Sequence, residues 1–337
     1  MTFQTTLQSV VFGNSLSEQE MMNAMTQVMG GKVSDIQLAA FLTALQVKGE
    51  TVPEIVGAAK VMREKAEKIK VKASNIIDTC GTGGDGADTF NISTAVAFVV
   101  AGAGVTVAKH GNRAVSSKSG SADVLQCLGV NIDAPLRTIE RCIEEVGIGF
   151  LFAPLMHKAM KHAVGVRKAL GFRTFFNLLG PLTNPANANS QILGVFDSKW
   201  VNPLAEVLRD LGSKHAMVVH GFDGLDEITL TSETQISELR NGNITNYALN
   251  PKKFGYSLCS SEDLRGGAPE INAKIIRDIL KGEKGCKTDI ILLNAGAAIY
   301  VAGKAETIEQ GIVIANKSIS SGEANKKLEK LCQASNS

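Results

Sequence analysis

Two polar, glycine-containing segments, separated by one short helix and one short strand, carry the residue types that bind phosphate. The first is residues 78–86, Asp-Thr-Cys-Gly-Thr-Gly-Gly-Asp-Gly, and the second is residues 109–123, which adds Lys109, Arg113, Lys118 and four serines. Glycines let a backbone approach a ligand closely and turn successive N–H groups toward an anion. Two such segments predict a site for a ligand that carries phosphate at both ends.

Each segment also has a simpler interpretation. The first could be an ordinary tight turn, because it lacks both the Gly-Lys-Ser/Thr ending of a P-loop and the glycine spacing of the dinucleotide fingerprint. Asn91, Ser93 and Thr94, which follow it, could be plain caps of the next apolar helix, although that helix start is also an anion site. The second segment favours binding, since a solvated basic turn rarely combines three cations with four serines.

A pair of adjacent carboxylates, Asp226 and Glu227, follows the apolar segment 216–220 after two glycines. Such a pair usually faces water. Phosphate ligands usually arrive with Mg²⁺, which takes carboxylate, hydroxyl and water oxygens, so this pair and Ser93 are candidate magnesium ligands. The histidine spacing does not suit zinc, and no serine or cysteine nucleophile motif occurs, so no catalytic side chain is assigned.

The order of elements predicts an α/β fold in two domains, as a chain of 337 residues favours. Three capping boxes, at residues 17–20, 34–37 and 51–54, each precede a helical apolar pattern. After residue 72, short apolar segments alternate with helical ones, which indicates a mainly parallel sheet. Strands are expected at 76–77, 105–108, 149–152, 191–196, 216–220 and 290–293, and one helix at 154–170.

The composition excludes several classes of protein. The net charge of +2 is below that expected of a dedicated nucleic-acid binder. No apolar run approaches the roughly 20 residues of a membrane helix. The six cysteines are scattered without a Cys-x-x-Cys pair, and the start of the chain does not resemble a signal peptide. We therefore expect reduced thiols in a soluble, cytoplasmic protein that binds neither nucleic acid nor membrane.

Taken together, these segments resemble the anthranilate phosphoribosyltransferase family over essentially the whole chain. The motifs that carry the resemblance are Gly81-Thr-Gly-Gly-Asp85, Asn91-Ile-Ser-Thr94, Lys109-His-Gly-Asn-Arg-Ala-Val-Ser-Ser117, Gly120-Ser-Ala-Asp123, the run from Arg173 to Pro185, and Asp226-Glu227. One departure is Lys158, where proline is expected. This difference concerns the start of a helix rather than the chemistry.

The resemblance implies a homodimeric, Mg²⁺-dependent enzyme of tryptophan biosynthesis. It would transfer the phosphoribosyl group from phosphoribosyl pyrophosphate to the amine of anthranilate and release pyrophosphate. The implied fold is of the nucleoside phosphorylase/phosphoribosyltransferase type. A small all-helical domain, residues 1–71 with a later excursion near 170–190, would be hinged to a larger α/β domain with a mainly parallel sheet, residues 72–169 and 191–337.

The resemblance also assigns binding residues. Phosphoribosyl pyrophosphate would be held by Gly81, Gly84, Asp85, Thr89, Asn91, Ile92, Ser93, Thr94, Lys109, His110, Gly111, Asn112, Arg113, Ala114, Val115, Ser116, Ser117 and Ser121. Anthranilate would contact Gly81, Asn112 and Arg167, and Mg²⁺ would be held by Ser93, Asp226 and Glu227. Without the resemblance, Arg167 would be read as surface charge.

Two other functions are weighed against this one. A pyrimidine nucleoside phosphorylase-like enzyme would share the architecture, but we expect different loop sequences in it. A non-catalytic relative that binds nucleic acid is disfavoured by the small net charge and by the intact acidic pair. A homodimer through the helical domain is also expected, because that domain is too small to bury Met21, Met22, Met25 and Leu42 by itself.

Overall fold

The computed structural model of the chain describes residues 2–114 and 118–337. Its α-helices, numbered in chain order, are α1 Phe3–Val11, α2 Glu18–Met29, α3 Asp35–Lys48, α4 Val52–Lys65, α5 Ile92–Gly102, α6 Ser121–Leu128, α7 Leu136–Arg141, α8 Ala153–Met156, α9 Lys161–Leu170, α10 Phe176–Leu179, α11 Val201–Asp210, α12 Pro269–Leu280, α13 Cys286–Val301, α14 Ile308–Ser320 and α15 Glu323–Ser335. Its strands are β1 Ile76–Asp78, β2 Thr106–Gly111, β3 Ile148–Phe152, β4 Ser190–Gly194, β5 His215–Gly221, β6 Thr234–Arg240 and β7 Asn243–Leu249.

The first helices begin where their capping residues predict. At the start of α2, the Ser17 hydroxyl accepts the Glu20 N–H at 3.3 Å, and the Glu20 carboxylate accepts the Ser17 N–H at 2.8 Å. Residues 34–37 form the same reciprocal pair before α3. Before α4, the Glu54 carboxylate accepts the Thr51 N–H at 2.8 Å. These bonds satisfy N–H groups that have no partner inside a helix.

The described strands form a seven-stranded sheet in the order β3-β2-β1-β4-β5-β6-β7. β3, β2, β1, β4 and β5 are parallel, and Ile77 of β1 pairs with Val107 of β2 and with Ser190 of β4. The chain leaves β1 toward β2 on one side and returns to β4 on the other. The fold class, a small helical domain with a mainly parallel α/β domain, is confirmed. Ligands of such sheets bind outside the carboxyl ends of the strands at this kind of reversal.

The strand predicted at residues 290–293 is wrong, because these residues lie inside α13. A four-residue apolar run cannot by itself separate a strand from a buried helix. Here the mainly apolar sequence continues to Val301, and the helix that contains it, α13, is sixteen residues long. Even so, no helix among the described residues is long and apolar enough to cross a membrane.

Two further elements differ from the sequence prediction. The helix expected at 154–170 is broken, with α8 ending at Met156 and α9 beginning at Lys161. The hairpin of β6 and β7 was not predicted, although Asn241 and Gly242 at its tip have φ values of 51° and 84°. An Asn-Gly pair in this conformation is the preferred two-residue hairpin turn.

The expectation that all six thiols are reduced is also wrong for one pair. Cys259 and Cys286 form a disulfide with their Cα atoms 6.2 Å apart. Cys259 lies in a loop, where its N–H donates to the Leu230 carbonyl at 3.0 Å, and Cys286 is the first residue of α13. The fold creates this proximity across 27 residues of sequence. The remaining cysteines, Cys80, Cys127, Cys142 and Cys332, are free thiols.

The helical domain buries more apolar surface than its first four helices suggest. Met21, Met25 and Leu42 are 0% exposed within the single chain, so the expectation that they need a partner subunit is wrong, and Met22 is partly buried against the same cluster. Their cluster also contains Phe175 and Leu182, which lie in the segment between α9 and β4. This later segment therefore completes the core that the N-terminal helices begin.

Candidate active site

The first loop, residues 79–91, lies where the order of the parallel strands reverses. The Thr82 N–H donates to the carbonyl of Gly194, the last residue of β4, at 2.8 Å. The Thr82 hydroxyl accepts the Phe196 N–H at 3.1 Å. A Cβ at Gly194 would lie 1.6 Å from the Asp226 carbonyl oxygen, so a side chain there would force these segments apart. The first loop is thereby fixed between β1, β4 and the acidic segment after β5.

The second loop, residues 112–120, is closed by Asp123 of α6. One oxygen of the Asp123 carboxylate accepts the N–H groups of Ala114 and Gly120, both at 2.9 Å, and the other accepts the Arg113 guanidinium at 2.9 Å. Burial by itself would raise the pKa of Asp123, but these donors together lower it. The backbone is thus held at Ala114 and at Gly120. Three predicted ligand-binding residues, Val115, Ser116 and Ser117, lie outside the described residues.

Side chains join the two loops. The Asn91 amide donates to the Ser119 carbonyl at 3.1 Å, and its oxygen accepts the amide of Asn272 at 2.9 Å and the Ser119 hydroxyl at 3.2 Å. Lys118 of the second loop contacts Asp88 of the first at 2.9 Å, but exposed ion pairs of this kind contribute little to stability. The half-buried amide network is the stronger connection, and it makes the two loops one structural unit.

Lys109, at the end of β2, lies beneath the loops and is only 3% exposed. Its amine donates to the Thr79 carbonyl at 3.0 Å and to the Ser93 hydroxyl at 3.3 Å. In this conformation it orients Ser93 and places a positive charge under the site. A buried charge needs hydrogen-bonding partners of this kind, and Thr79 and Ser93 provide them.

The structure brings the predicted magnesium ligands together. The Asp226 carboxylate accepts the N–H of Gly83 at 2.8 Å, and the Glu227 carboxylate accepts the N–H of Ser93 at 3.1 Å. The Asp85 carboxylate joins them by accepting the Asp226 N–H at 3.3 Å. Asp85 was predicted as a ligand of the phosphoribosyl group, and the structure adds that it lies beside the acidic pair.

The electrostatics of these carboxylates suit a divalent cation. Burial, together with the charges of Asp85 and Glu227, raises the pKa of Asp226 well above its ordinary value. Burial also raises the pKa of Glu227 to about 7, although the Lys109 amine opposes this. Three clustered carboxylates repel one another, and a hard cation with oxygen ligands would relieve that repulsion. The residues therefore fit the predicted Mg²⁺.

A second cluster with metal-ligand atoms is better explained by hydrogen bonds. A carboxylate oxygen of Asp78, the sulfur of Cys80 and a ring nitrogen of His110 lie within 4.8 Å of one another. However, the Asp78 carboxylate accepts the backbone N–H of His110 at 3.1 Å and the side-chain amide of Asn184 at 2.7 Å. Burial raises the pKa of the Cys80 thiol, which disfavours the thiolate that a metal would need. The His110 ring contacts the Gly180 carbonyl at 3.0 Å, so the hydrogen bond of its ring goes to the protein rather than to the loops. Asp78 thus connects β1, β2 and, through Asn184, the segment between α9 and β4 (residues 171–189), which we call the interdomain segment.

Two other predicted ligand-binding residues have inward-facing side chains. Ile92 is 2% exposed and Thr94 is 1% exposed, and the Thr94 hydroxyl makes no hydrogen bond to the described part of the chain. They begin α5, whose N-terminus points N–H groups and a positive dipole end toward the loops. Their contribution to a phosphate site would therefore come from the backbone.

Arg167 of α9 lies half-buried with its guanidinium 5.3 Å from the centre of the Phe176 ring. Burial lowers the pKa of this guanidinium. Within residues 2–114 and 118–337, this guanidinium forms no hydrogen bond and no ion pair. A partly desolvated cation without an acidic partner is suited to bind an anionic group of a ligand.

Sequence reasoning missed one residue of the site, Arg173. Its guanidinium donates to the Gly84 carbonyl of the first loop and lies 4.2 Å from the centre of the Phe196 ring. It therefore connects the interdomain segment to the first loop. Arg173 is the first residue of the 173–185 motif, so the sequence did draw attention to it. Nothing in the neighbouring residues indicates that it contacts the first loop.

Two family models cover most of the chain. The model described as "Glycosyl transferase family, a/b domain" matches residues 73–325, and the model described as "Glycosyl transferase family, helical bundle domain" matches residues 4–66. The fold, the two glycine-containing loops and the Asp85, Asp226 and Glu227 carboxylates agree with these models. The chain is therefore a glycosyl transferase with a helical bundle domain.

Individual relatives narrow this class. The chain is 55% identical to the anthranilate phosphoribosyltransferase of Acetivibrio thermocellus, over 98% of this chain and 96% of that protein. The crystal structure of the enzyme of this name from Thermus thermophilus has a TM-score of 0.94 and 44% identity, covering 98% and 99% of the two chains. The Saccharomyces cerevisiae enzyme, solved "in complex with PRPP and Mg", has a TM-score of 0.89 and 28% identity, with 98% of each chain covered. The chain belongs to the anthranilate phosphoribosyltransferase family.

Proposed function

We propose that this protein transfers the 5-phosphoribosyl group from phosphoribosyl pyrophosphate to the amine of anthranilate, as a step of tryptophan biosynthesis. The proposal rests mainly on three segments that lie together at one edge of the sheet. The first loop, the second loop and the Asp226–Glu227 segment follow β1, β2 and β5, whose carboxyl ends all lie there. This arrangement fits a ligand with separate phosphate groups and a metal ion between them.

The chemistry requires positioning and charge stabilisation rather than a protein nucleophile. The bond between ribose C1 and the pyrophosphate oxygen breaks, the anthranilate nitrogen bonds to C1 and then loses a proton, and pyrophosphate departs. Negative charge grows on the leaving group, and N–H donors and cations stabilise it. The loops, the α5 N-terminus and Lys109 supply these groups, and the aniline nitrogen is already nucleophilic enough for orientation to dominate.

Asp226 and Glu227, with Ser93, are the residues we propose to hold Mg²⁺. The bound ion neutralises charge on the pyrophosphate and orients it. Asp85 lies beside this pair and adds to its negative potential. The assignments of the remaining loop residues to phosphoribosyl pyrophosphate, and of Gly81, Asn112 and Arg167 to anthranilate, are part of the same proposal.

The binding of Mg²⁺ should weaken in acid. Because the pKa of Glu227 is about 7 without metal, protons compete with the cation below this pH. We expect the apparent affinity for Mg²⁺ with phosphoribosyl pyrophosphate to fall about fivefold between pH 7 and pH 6, because the deprotonated fraction of a group with a pKa of about 7 falls from about one half to about one tenth. Titration calorimetry at several pH values measures this. The KM for anthranilate should stay nearly constant over the range, and a flat Mg²⁺ affinity would contradict the prediction.

The same shift has a consequence for stability. The folded-state pKa of Glu227 lies above its ordinary value of 4.5, so the folded, metal-free protein binds this proton more tightly than the unfolded chain does. This contribution to stability is complete below about pH 4.5 and is lost as the pH rises through about 7. Added Mg²⁺ should therefore raise the melting temperature more at pH 8 than at pH 6.

The direct test of the proposed reaction is incubation with anthranilate, phosphoribosyl pyrophosphate and Mg²⁺ while anthranilate fluorescence is followed. We expect fluorescence to fall with time, to require all three components, and to yield one pyrophosphate for each anthranilate consumed. Incubation with a pyrimidine nucleoside and inorganic phosphate is the control for the related phosphorylase reaction. Release of a free pyrimidine base, without loss of anthranilate fluorescence, would overturn the proposal.

We also propose a homodimer through the helical domain, as the sequence suggested, but through exposed residues of α3 rather than through Met21, Met22, Met25 and Leu42. Ile36, Ala40, Thr43 and Val47 of α3 are all exposed, Ile36 by 84% and Val47 by 82%. Their spacing of 4, 3 and 4 residues places them on one face of the helix. Phe12, after the neighbouring α1, is 81% exposed as well. Such an apolar stripe is typical of a surface covered by a second subunit.

The expected result is a mass twice 35.7 kDa by light scattering at micromolar concentration. Val47→Lys should shift the protein toward the monomer, because a lysine charge on the stripe would be desolvated in the dimer. Val313→Lys is the matched control, since Val313 is 69% exposed on α14 of the α/β domain and should leave the mass unchanged. A monomeric wild-type protein would contradict the proposal.

The domain boundaries and the cytoplasmic location remain predictions. The chain passes between the two predicted domains at residues 66–75, which contain no helix or strand, and again in the segment between α9 and β4. The two passages touch, because the Ile69 N–H donates to the Pro185 carbonyl at 3.3 Å. We propose that together they form the hinge. The cytoplasmic location was predicted from reduced thiols, from an N-terminal sequence unlike a signal peptide and from the lack of a long apolar run, and the Cys259–Cys286 pair counts against the first of these reasons.

A further inference from the structure

One buried polar residue interrupts the apolar part of α13, a helix that lies behind the acidic pair. Asn294 lies in the middle of α13, is 2% exposed, and is flanked by Leu293 and Ala295, both 0% exposed. A buried amide is costly unless its hydrogen-bonding groups are satisfied. An aliphatic residue would pack here without that cost, so the partners of the amide indicate what the asparagine does.

Those partners lie next to the acidic pair. The Asn294 side-chain oxygen accepts the N–H of Ile228 at 3.0 Å, and its amide nitrogen donates to the Ile228 carbonyl at 2.7 Å and to the Ile290 carbonyl at 2.9 Å. The side chain pairs with both backbone groups of one residue, as a neighbouring strand would. A flipped amide would face two donors toward each other, so this network fixes its orientation.

Ile228 directly follows Glu227 in the chain and is 0% exposed. On the other side of the acidic pair, Gly83 and Ser93 donate their N–H groups to the Asp226 and Glu227 carboxylates. The segment is therefore held by the loops in front and by Asn294 from behind. Without Asn294, the two backbone groups of Ile228 would be buried without these partners, and the segment would be free to shift.

We propose that Asn294 is a positioning residue that fixes the Asp226–Glu227 carboxylates for the metal–pyrophosphate unit. This inference rests on the proposed function, since it assigns Asn294 a part in that same site. Groups that orient metal ligands typically change metal affinity by 10- to 100-fold when they are removed. A residue that only stabilises the core would instead lower the melting temperature and leave ligand affinity unchanged.

The test compares Asn294→Ala with Ser318→Ala. Ser318 of α14 is also buried, 3% exposed, and its hydroxyl donates at 2.8 Å to the carbonyl of Val99 in the C-terminal half of α5, whereas the site residues of α5 lie at its N-terminus. Both substitutions remove buried hydrogen bonds, so both should lower the melting temperature. Affinity for phosphoribosyl pyrophosphate is then measured by titration calorimetry at several Mg²⁺ concentrations, without anthranilate.

We expect Asn294→Ala to weaken this affinity about tenfold or more and to raise the Mg²⁺ concentration needed for half-saturation. Ser318→Ala should remain within about twofold of the wild type. Equal affinities in Asn294→Ala and the wild type would overturn the proposal, and so would an equal loss in Ser318→Ala. Wild-type protein that does not bind phosphoribosyl pyrophosphate with Mg²⁺ would instead contradict the proposed function itself.

If Asn294→Ala does not fold, Asn294→Asp takes its place. Aspartate has the same shape and keeps an oxygen for the Ile228 N–H, but it lacks the amide donor for the two carbonyls. We expect a partial loss of affinity with an increased Mg²⁺ requirement, and wild-type affinity in this variant would overturn the positioning role.

Discussion

Asp226→Asn should lower kcat/KM for phosphoribosyl pyrophosphate by roughly 100-fold at limiting Mg²⁺, the scale on which single charge-stabilising groups act in active sites. Asparagine keeps the shape of the side chain and an oxygen for the Gly83 N–H, which the wild-type carboxylate accepts at 2.8 Å. It removes one negative charge from a cluster suited to a divalent cation. The loss should therefore be smaller at high Mg²⁺, and steady-state rates over a range of Mg²⁺ concentrations measure it.

Asp223→Asn is the matched control for this substitution. Asp223 lies in the same segment after β5, but its carboxylate accepts the Thr229 hydroxyl at 2.7 Å and the Leu225 N–H at 3.2 Å, so it serves the turn itself. We expect this variant to lose some stability and to keep the wild-type Mg²⁺ dependence. If Asp226→Asn retained full turnover at limiting Mg²⁺, or if both variants lost it equally, the metal assignment would be wrong.

The sequence was sufficient for those parts of the site that are local to one strand end. Glycine, serine and lysine directly after β1 and β2 predict anion-binding loops, and Asp226 and Glu227 follow β5 in the same way. The carboxyl ends of parallel strands share one edge, so a correct fold class places these segments together. That placement needs no detailed knowledge of the packing.

Contacts between distant segments could not be predicted in this way. Asn294 meets Ile228 across 66 residues, and Cys259 meets Cys286 across 27. Asn294 lies in an apolar helix and Cys259 in an ordinary loop, and neither local sequence indicates which distant residue it contacts. Arg173 is similar, because its contact with Gly84 depends on how the interdomain segment crosses the sheet.

The errors at α13 and at the dimer surface have one cause. A pattern of apolar residues indicates that a segment is buried, but it does not identify what covers it. Residues 290–293 look like a strand until their extension to Val301 is included, and Met21 is covered by its own chain rather than by a partner. Exposure in the folded chain, as at Ile36 and Val47, is the property that distinguishes an unpartnered face.

Arg167→Ala should raise the KM for anthranilate by roughly 30-fold, which corresponds to about 2 kcal/mol, the lower end of the range for truncating a desolvated, hydrogen-bonded charge pair. The lower end is appropriate because Arg167 is half-buried rather than fully buried. Its guanidinium is held over the Phe176 ring, and burial lowers its pKa, yet within residues 2–114 and 118–337 it has no acidic partner. The anthranilate carboxylate would supply that partner.

The comparison with lysine separates charge from shape. A planar guanidinium binds a carboxylate through two parallel hydrogen bonds, which an ammonium group cannot reproduce, so Arg167→Lys should recover only part of the loss. Lys168→Ala removes an exposed charge from the next position of α9 and should change neither KM. Because we propose that phosphoribosyl pyrophosphate is bound by the loops, its KM should be unchanged in all three variants. An unchanged anthranilate KM in Arg167→Ala, or an equal increase for both substrates, would return Arg167 to a structural role.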